Sequence, residues 1–354
     1  MAKKVLIVDD SALVRKQLSE IIATLNFEID VAKNGKEAVE KAIQTQYDVI
    51  TMDINMPVMD GIEAVKRIMQ KKPTAILMVS SLTTEDASIT MEALSLGAID
   101  YISKPGTMNI GKNENYDDII QKVKSLSRIP LRRLKQQLSR PPLRERKRAE
   151  RTTREPVEEL SSKEITKVVL IGSSTGGPGL IEQICAALPA NYKYPVCIVQ
   201  HMPAQFTAAF ATRLDRASAL NVHESAQNME LLPGNVYVAR GGVHMNFAKK
   251  VSGKIVIRED KSKGDNFFQP SVDEMIFSAL EVFKPSQLVG VILTGIGDDG
   301  AEGMVKLKKL GAYTLGESEE SATVYGMPKE AYDRGGVMEQ LSFPQILKKI
   351  ATLK

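Results

Sequence analysis

Short apolar runs alternate along this chain with segments whose apolar residues recur at helical spacing, and the alternation occurs twice. In the first half, VLIV (5–8), EIDVA (28–32), YDVITM (47–52), AILMVS (75–80) and AIDYIS (98–103) predict strands, with helices over stretches such as 12–25 and 35–46. The pattern resumes at Val168. There PVCIVQ (195–200), NVYVA (235–239), KIVIRE (254–259), LVGVILTG (288–295) and AYTLGE (312–317) predict strands, and 179–187, 204–217, 271–282 and 299–310 predict helices. Strands separated by helices imply parallel sheets covered on both faces, so the expected fold class is α/β with two doubly wound parallel-sheet domains.

Between the halves the pattern fails. Pro130 interrupts the helical spacing, and Arg140-Pro141-Pro142 and RERKRAERTTREP carry many charges and almost no apolar residues. Residues 122–154 hold 13 Lys and Arg against 2 Asp and Glu, so the overall charge of +4 belongs to this segment and the remainder is net acidic. No aromatic residue interrupts the basic run to stack on a base, which argues for a solvated linker and against specific nucleic-acid binding. LRRLKQQL (131–138) has the pattern of a short amphipathic turn or two. The expected division is therefore 1–124, a basic flexible linker over 125–163, and 164–354. Cys185 and Cys197 sit in apolar surroundings without C-x-x-C spacing, as buried thiols in a reducing compartment do. No run reaches the roughly 18 apolar residues of a transmembrane segment, and MAKKVLIVDD is no signal peptide, which together predict a cytoplasmic protein.

In doubly wound sheets, ligands bind beyond the carboxyl ends of the strands. In the first half Asp9 and Asp10 end the first strand, Asp53 the third, Ser80 the fourth and Lys104 the fifth, so all five converge on one edge. Three carboxylates so close repel unless a hard cation neutralises them, and Mg2+ suits the set. Lys104 and Ser80 can hold a phosphoryl group, with a carboxylate such as Asp53 accepting it. VDDS, MDINMPVMDG, VSS and Lys104-Pro105 make this half resemble the receiver domain of two-component response regulators. The resemblance implies a flavodoxin-like fold, phosphorylation at Asp53, Mg2+ held by Asp9, Asp10, Asp53 and the carbonyl of Asn55, and switch roles for Ser80 and Tyr101.

The second half opens on KVVLIGSSTGGPGL, an apolar strand, a Gly-rich bend with hydroxyls at Ser173, Ser174 and Thr175, and a helix start. Unpaired N–H groups at such a start favour negative charge. The loop lacks the lysine of a P-loop and does not fit G-x-G-x-x-G, so the hydroxyls point to nucleophilic catalysis, which needs a base and an orienting acid. Of three histidines, His201 follows a strand on the same edge as the serine loop. His223 reads as a surface residue, and His244 is the weaker candidate base. The acid is Asp298 or Asp299, after the strand and Gly-rich turn of LVGVILTGIGDDGAEGM; spacing does not choose between them.

GSSTGGP, QHMPAQFTAAFATRL, PSVDE, LTGIGDDGAEGM and VYGMP resemble the catalytic domain of the chemotaxis protein-glutamate methylesterase family over about 165–350. This implies a Rossmann-like α/β methylesterase domain with Ser174 as nucleophile, His201 as base and Asp299 as acid, supported at the oxyanion by Thr175 and Ile296. It also implies no cofactor in the esterase half, methyl-accepting chemotaxis receptors as substrate, a chemotaxis histidine kinase as phosphodonor, and glutaminase activity on receptor glutamines. Ile296, Arg240 and Gln269 depart from the family's usual residues, and no binding role is carried over for Arg240 or Gln269. Two other classes fit parts of the chain: a receiver-linked DNA-binding regulator, and a catalytically inactive receptor-docking protein.

Overall fold

A computed structural model describes residues 2–81, 83–105, 112–138, 165–262 and 268–353, which belong to two compact units divided near residue 141. In the first, β1 (Lys4–Val8), β2 (Glu28–Ala32), β3 (Val49–Asp53), β4 (Ala75–Ser80) and β5 (Asp100–Ser103) form one parallel sheet in the order β2-β1-β3-β4-β5. Strands β3 and β4 are buried along their whole length, as continuous apolar runs covered on both faces must be. Helices α1 (Ala12–Ala23), α2 (Gly35–Gln44), α3 (Gly61–Lys71), α4 (Thr84–Ser95) and α5 (Lys112–Leu126) connect and follow the strands. The side chains of Ser11, Asn34, Asp60 and Thr83 cap the first four, each accepting a backbone N–H three residues on.

The first unit extends beyond the expected boundary at 124. Helix α5 ends at Leu126, and a further helix, α6, spans Leu131–Leu138. Leu126 and Leu134 are buried in the first unit's apolar cluster, with Ile129 packed against it. The basic surroundings obscured this in the sequence: burying one leucine contributes about 2 kcal/mol, enough to hold a short amphipathic helix that its charges alone would leave solvated. Residues 139–163 of the expected linker lie outside the described residues.

The second unit is built on seven parallel strands. These are β6 (Val168–Ser173), β7 (Val196–Gln200), β8 (Asn221–Glu224), β9 (Asn235–Val238), β12 (Leu288–Ile292), β13 (Tyr313–Glu317) and β14 (Glu339–Leu341), in the order β14-β13-β12-β6-β7-β9-β8. The segment around KIVIRE is not part of this sheet: β11 (Ile255–Asp260) pairs antiparallel with β10 (His244–Lys249) as a separate ribbon. β8, β10 and β14 were not predicted, because they are short or carry polar residues through the strand. Helices α7 (Gly177–Ala187), α8 (Ala204–Ala217), α9 (Val272–Val282), α10 (Ala301–Lys309), α11 (Met327–Asp333) and α12 (Phe343–Ala351) complete the unit. From β6 the chain winds to one side through β7, and it later returns to the other side through β12, so the strand order reverses between β6 and β12. Ligand crevices form at such a point, beyond the carboxyl ends of the strands.

Both cysteines are buried and free. Among the described residues, no helix is long and apolar enough to cross a membrane.

Candidate active site

Strand pairing places Ser174 beside His201. Ser173 and Gln200 are opposite each other in the register of β6 and β7, and the next residue on each chain is Ser174 and His201. The His201 N–H donates to the carbonyl of Ser173 at 3.0 Å, carrying the ladder one step past the strands. Of the adjacent serines, Ser173 is wholly buried and its hydroxyl donates to Oε1 of Gln200 at 2.8 Å. Ser174 is 6% exposed, and its hydroxyl makes no hydrogen bond among the described residues. Gln200 also donates from Nε2 to the Ser174 carbonyl at 2.9 Å, so one amide grips the bend at two points. Gly176 takes φ +79°, and a Cβ on Gly177 would lie 2.3 Å from that amide oxygen, which is why the bend is Gly-Gly.

His201 is locked from its other nitrogen. Nε2 lies 2.7 Å from Oδ2 of Asp299, while Nδ1 is buried without a hydrogen-bond partner. Asp299 in turn sits at the start of α9. Its Oδ1 accepts from the Ser271 hydroxyl at 2.7 Å and the Asp273 N–H at 3.1 Å, and its Oδ2 accepts from the Val272 N–H at 2.7 Å. Burial pushes the Asp299 carboxyl up, but the bond to His201 and these helix N–H groups outweigh it and hold the group below its ordinary value. Asp298 points elsewhere: it is exposed and pairs with Arg334 at 2.6 Å. The neighbouring Asp273 carboxyl is pushed up to about 7 by burial and by the charge of Asp299.

The far side of the serine bend rests on the end of β12. Ser174 N–H donates to the Thr294 carbonyl at 3.0 Å, and the Thr294 hydroxyl donates to the Thr175 carbonyl at 2.9 Å. Thr294 N–H donates to Oε2 of the fully buried Glu317, which also accepts from the Ser321 hydroxyl. Ile296 follows two residues later, and its N–H makes no hydrogen bond among the described residues.

His223 and His244 have no such partners. His223 is half-buried in β8 and bonded to Asn235, a correction to its expected place on the surface; the strand was too polar to recognise. His244 is buried in β10, where Nδ1 accepts the Ser271 N–H. Arg240 lies 4.0 Å from Glu259, and the carbonyl of Gln269 accepts the Gly242 N–H. Gln200, Ser271, Thr294 and Glu317 were missed as supporting residues. A signal was available for three of them: Gln200 and Thr294 are lone polar residues ending apolar runs, and Ser271 is the cap of S-x-x-E ahead of a helix.

In the first unit, ligand atoms of Asp9, Asp10 and Asp53 lie within 4.8 Å of one another. Lys104 reaches Asp53 Oδ1 at 2.9 Å and Asp9 Oδ2 at 3.3 Å. Burial pushes Asp53 up to about 6; Lys104 opposes this and the Asp9 charge adds to it. Asp53 Oδ2 and the Ser80 hydroxyl are buried without hydrogen-bond partners. Asn55 donates from its side-chain amide to Asp86 at 3.1 Å, so its side chain is engaged away from the three carboxylates. Tyr101 is buried, with Lys122 Nζ 5.2 Å from its ring centroid and donating to its carbonyl.

Comparison with known proteins agrees with both halves. Residues 169–350 match the CheB methylesterase family and residues 5–112 the response regulator receiver domain. A protein-glutamate methylesterase/protein-glutamine glutaminase 2 of Carboxydothermus hydrogenoformans is 46% identical over 99% of this chain and 98% of its own. The protein-glutamate methylesterase/protein-glutamine glutaminase of Thermotoga maritima is 42% identical over 94% of this chain and 93% of its own. The crystal structure of the Thermotoga maritima CheB methylesterase catalytic domain, 40% identical, covers 53% of this chain and 98% of its own with a TM-score of 0.51. With a receiver ahead of a methylesterase domain, in relatives matched almost end to end, the chain belongs to the CheB protein-glutamate methylesterase family.

Proposed function

We propose that the second unit hydrolyses glutamate methyl esters on chemotaxis receptors, and deamidates receptor glutamines, using Ser174, His201 and Asp299. One observation carries the assignment: Ser174 and His201 follow register partners on adjacent strands, with His201 tied to Asp299 at 2.7 Å. The names of the relatives supply the bond types, a protein glutamate methyl ester and a protein glutamine, and the receiver ahead of the esterase points to chemotaxis receptors as their bearers.

Ser174 Oγ adds to the ester carbonyl carbon as its proton passes to Nδ1 of His201, the ring nitrogen without another partner. Asp299 holds the ring and stabilises the imidazolium without taking the proton. The oxyanion is received by loop N–H groups, for which Thr175 and Ile296 are the candidates, one donor being worth about 3 to 4 kcal/mol. Collapse breaks the C–O bond, and His201 returns the proton so that methanol leaves; with glutamine the product is ammonia. Water, deprotonated by His201, then attacks the serine ester and frees glutamate. This route uses no cofactor.

In the first unit, Asp53 accepts the phosphoryl group of a chemotaxis histidine kinase. Asp9, Asp10, Asp53 and the Asn55 carbonyl would hold Mg2+, and the unpartnered buried oxygen of Asp53 fits that reading. When bound, the ion neutralises the carboxylates and the phosphoryl oxygens. Lys104 balances the new charge, the Ser80 hydroxyl donates to it, and Tyr101 responds as the aromatic switch. Phosphorylation raises esterase activity, coupling kinase output to receptor demethylation in the cytoplasm.

The test is release of labelled methanol from methylated receptor membranes. Ser174→Ala and His201→Ala are expected to lose it, and full activity in Ser174→Ala overturns the mechanism.

A further inference from the structure

The imidazole of His201 is fixed at its edge by Asp299, yet a bond to one ring nitrogen leaves the ring plane free to tilt about that contact. The structure shows what covers the face. The ring of Phe268 stacks on His201 with centroids 3.8 Å apart and planes 11° from parallel. Phe268 Cε2 also lies 3.8 Å from where a Cβ on Gly297 would stand, so the phenyl ring reaches toward the Gly-rich turn that carries Asp299. Phe268 also lies three residues before Ser271, whose hydroxyl holds Asp299. One short segment thus touches the base and, through Ser271, the acid.

We propose that Phe268 is a positioning residue for the esterase reaction, holding the plane of His201 so that Nδ1 stays aimed at the nucleophile. The proposal rests on the assignment of His201 as the base. At van der Waals contact a parallel ring blocks rotation of the imidazole about Cβ–Cγ, because any turn drives the imidazole edge into the phenyl face. The face also carries the negative pole of the phenyl quadrupole, which favours the imidazolium formed when His201 takes the serine proton over the neutral ring that precedes it. Both effects act on the transition state more than on substrate binding, so they enter kcat and leave KM alone. Its neighbour Gln269, in contrast, accepts the Gly242 N–H through its carbonyl and makes no hydrogen bond to His201 among the described residues.

The experiment compares Phe268→Leu, which keeps an apolar side chain but removes the ring face, with Phe268→Tyr, which keeps the ring, in the full-length protein with methylated receptor membranes. Phe268→Leu is expected to lower kcat by about ten-fold with KM within about two-fold of wild type, and Phe268→Tyr to restore it. The protein has three histidines, so the His201 ring protons can be followed by NMR. The phenyl ring current should shift them upfield in the wild type and in Phe268→Tyr, and not in Phe268→Leu. Unchanged kcat in Phe268→Leu, a loss confined to KM, equal losses in both variants, or identical His201 proton shifts in wild type and Phe268→Leu would each overturn the proposal. Ser174→Ala is run alongside: activity there defeats the underlying mechanism, whereas an inactive Ser174→Ala with a fully active Phe268→Leu defeats only the role of Phe268.

Discussion

The hydroxyl of Ser173 donates to Oε1 of Gln200 across two paired strand ends, 2.8 Å apart and closed to solvent. Two adjacent serines therefore differ in what their hydroxyls can do. Ser173→Ala is expected to keep most methanol release while losing about 1 kcal/mol of stability in urea unfolding. A loss of activity matching that of Ser174→Ala would mean that the nucleophile has been assigned to the wrong serine.

Gln200 supports the bend from both ends of its amide. Gln200→Glu keeps the acceptor for Ser173 but sets a carboxylate oxygen against the Ser174 carbonyl, where an N–H group now donates. The expected result is a drop in kcat of at least about ten-fold and a cost of roughly 1 to 3 kcal/mol, read by steady-state kinetics and denaturant unfolding. Wild-type kcat in this variant would show that the bend is held by its glycines and Thr294 alone.

The two aspartates after β12 make a paired control. Asp299→Asn leaves the shape of the cradle but disturbs the tautomer and charge that His201 needs, and kcat should fall by about 10⁴-fold, as for triad acids generally. Asp298→Asn removes only a surface ion pair with Arg334, worth about 0 to 1 kcal/mol, and should leave turnover near wild type.

Asp273 gives the second unit a pH dependence of defined sign. Its folded value, about 7, lies above its ordinary one, so the stability favoured by its protonated form is present below about pH 4 and is lost as pH rises through 7. Asp273→Asn should flatten this dependence and be the more stable form above pH 7 by about 1 to 3 kcal/mol. Parallel stability curves for wild type and variant from pH 5 to 8 would refute the expectation.

For the first unit, Asp53→Asn should abolish acid-labile phosphate incorporation from a small phosphodonor, together with activation of methanol release. Mg2+ should raise the thermal midpoint of the wild type, and by less in Asp10→Asn, because removing one of three clustered carboxylates weakens the site. Activation that persists in Asp53→Asn would place the phosphoryl group on another residue.

The sheets and most of the site were legible because parallel strands buried on both faces leave long apolar runs, and their polar ends therefore stand out. Asp9, Asp53, Ser80, His201 and the Asp298-Asp299 pair were all found that way. What escaped notice was polar and short: β8 and β14, the histidine-bearing β10, and the buried Glu317, whose role depends on a partner 23 residues away. Spacing left the choice between Ser173 and Ser174 to family likeness; in the structure the two differ in that one glutamine engages the Ser173 hydroxyl. Asp298 and Asp299 differ in that the α9 N-terminus and His201 engage only Asp299, which no local pattern around either aspartate announces. The first unit's continuation past 124 was missed because a basic sequence concealed two buried leucines, Leu126 and Leu134.

The reversal of strand order between β6 and β12 has a consequence for chain synthesis. Ser174 and His201 leave the ribosome early, but Asp299 and the β12 end on which the serine bend rests come about a hundred residues later. A prematurely terminated chain would carry the serine bend and His201 without the carboxylate that orients the imidazole. On the proposed mechanism, hydrolytic competence thus arrives only after the inner strand has been inserted.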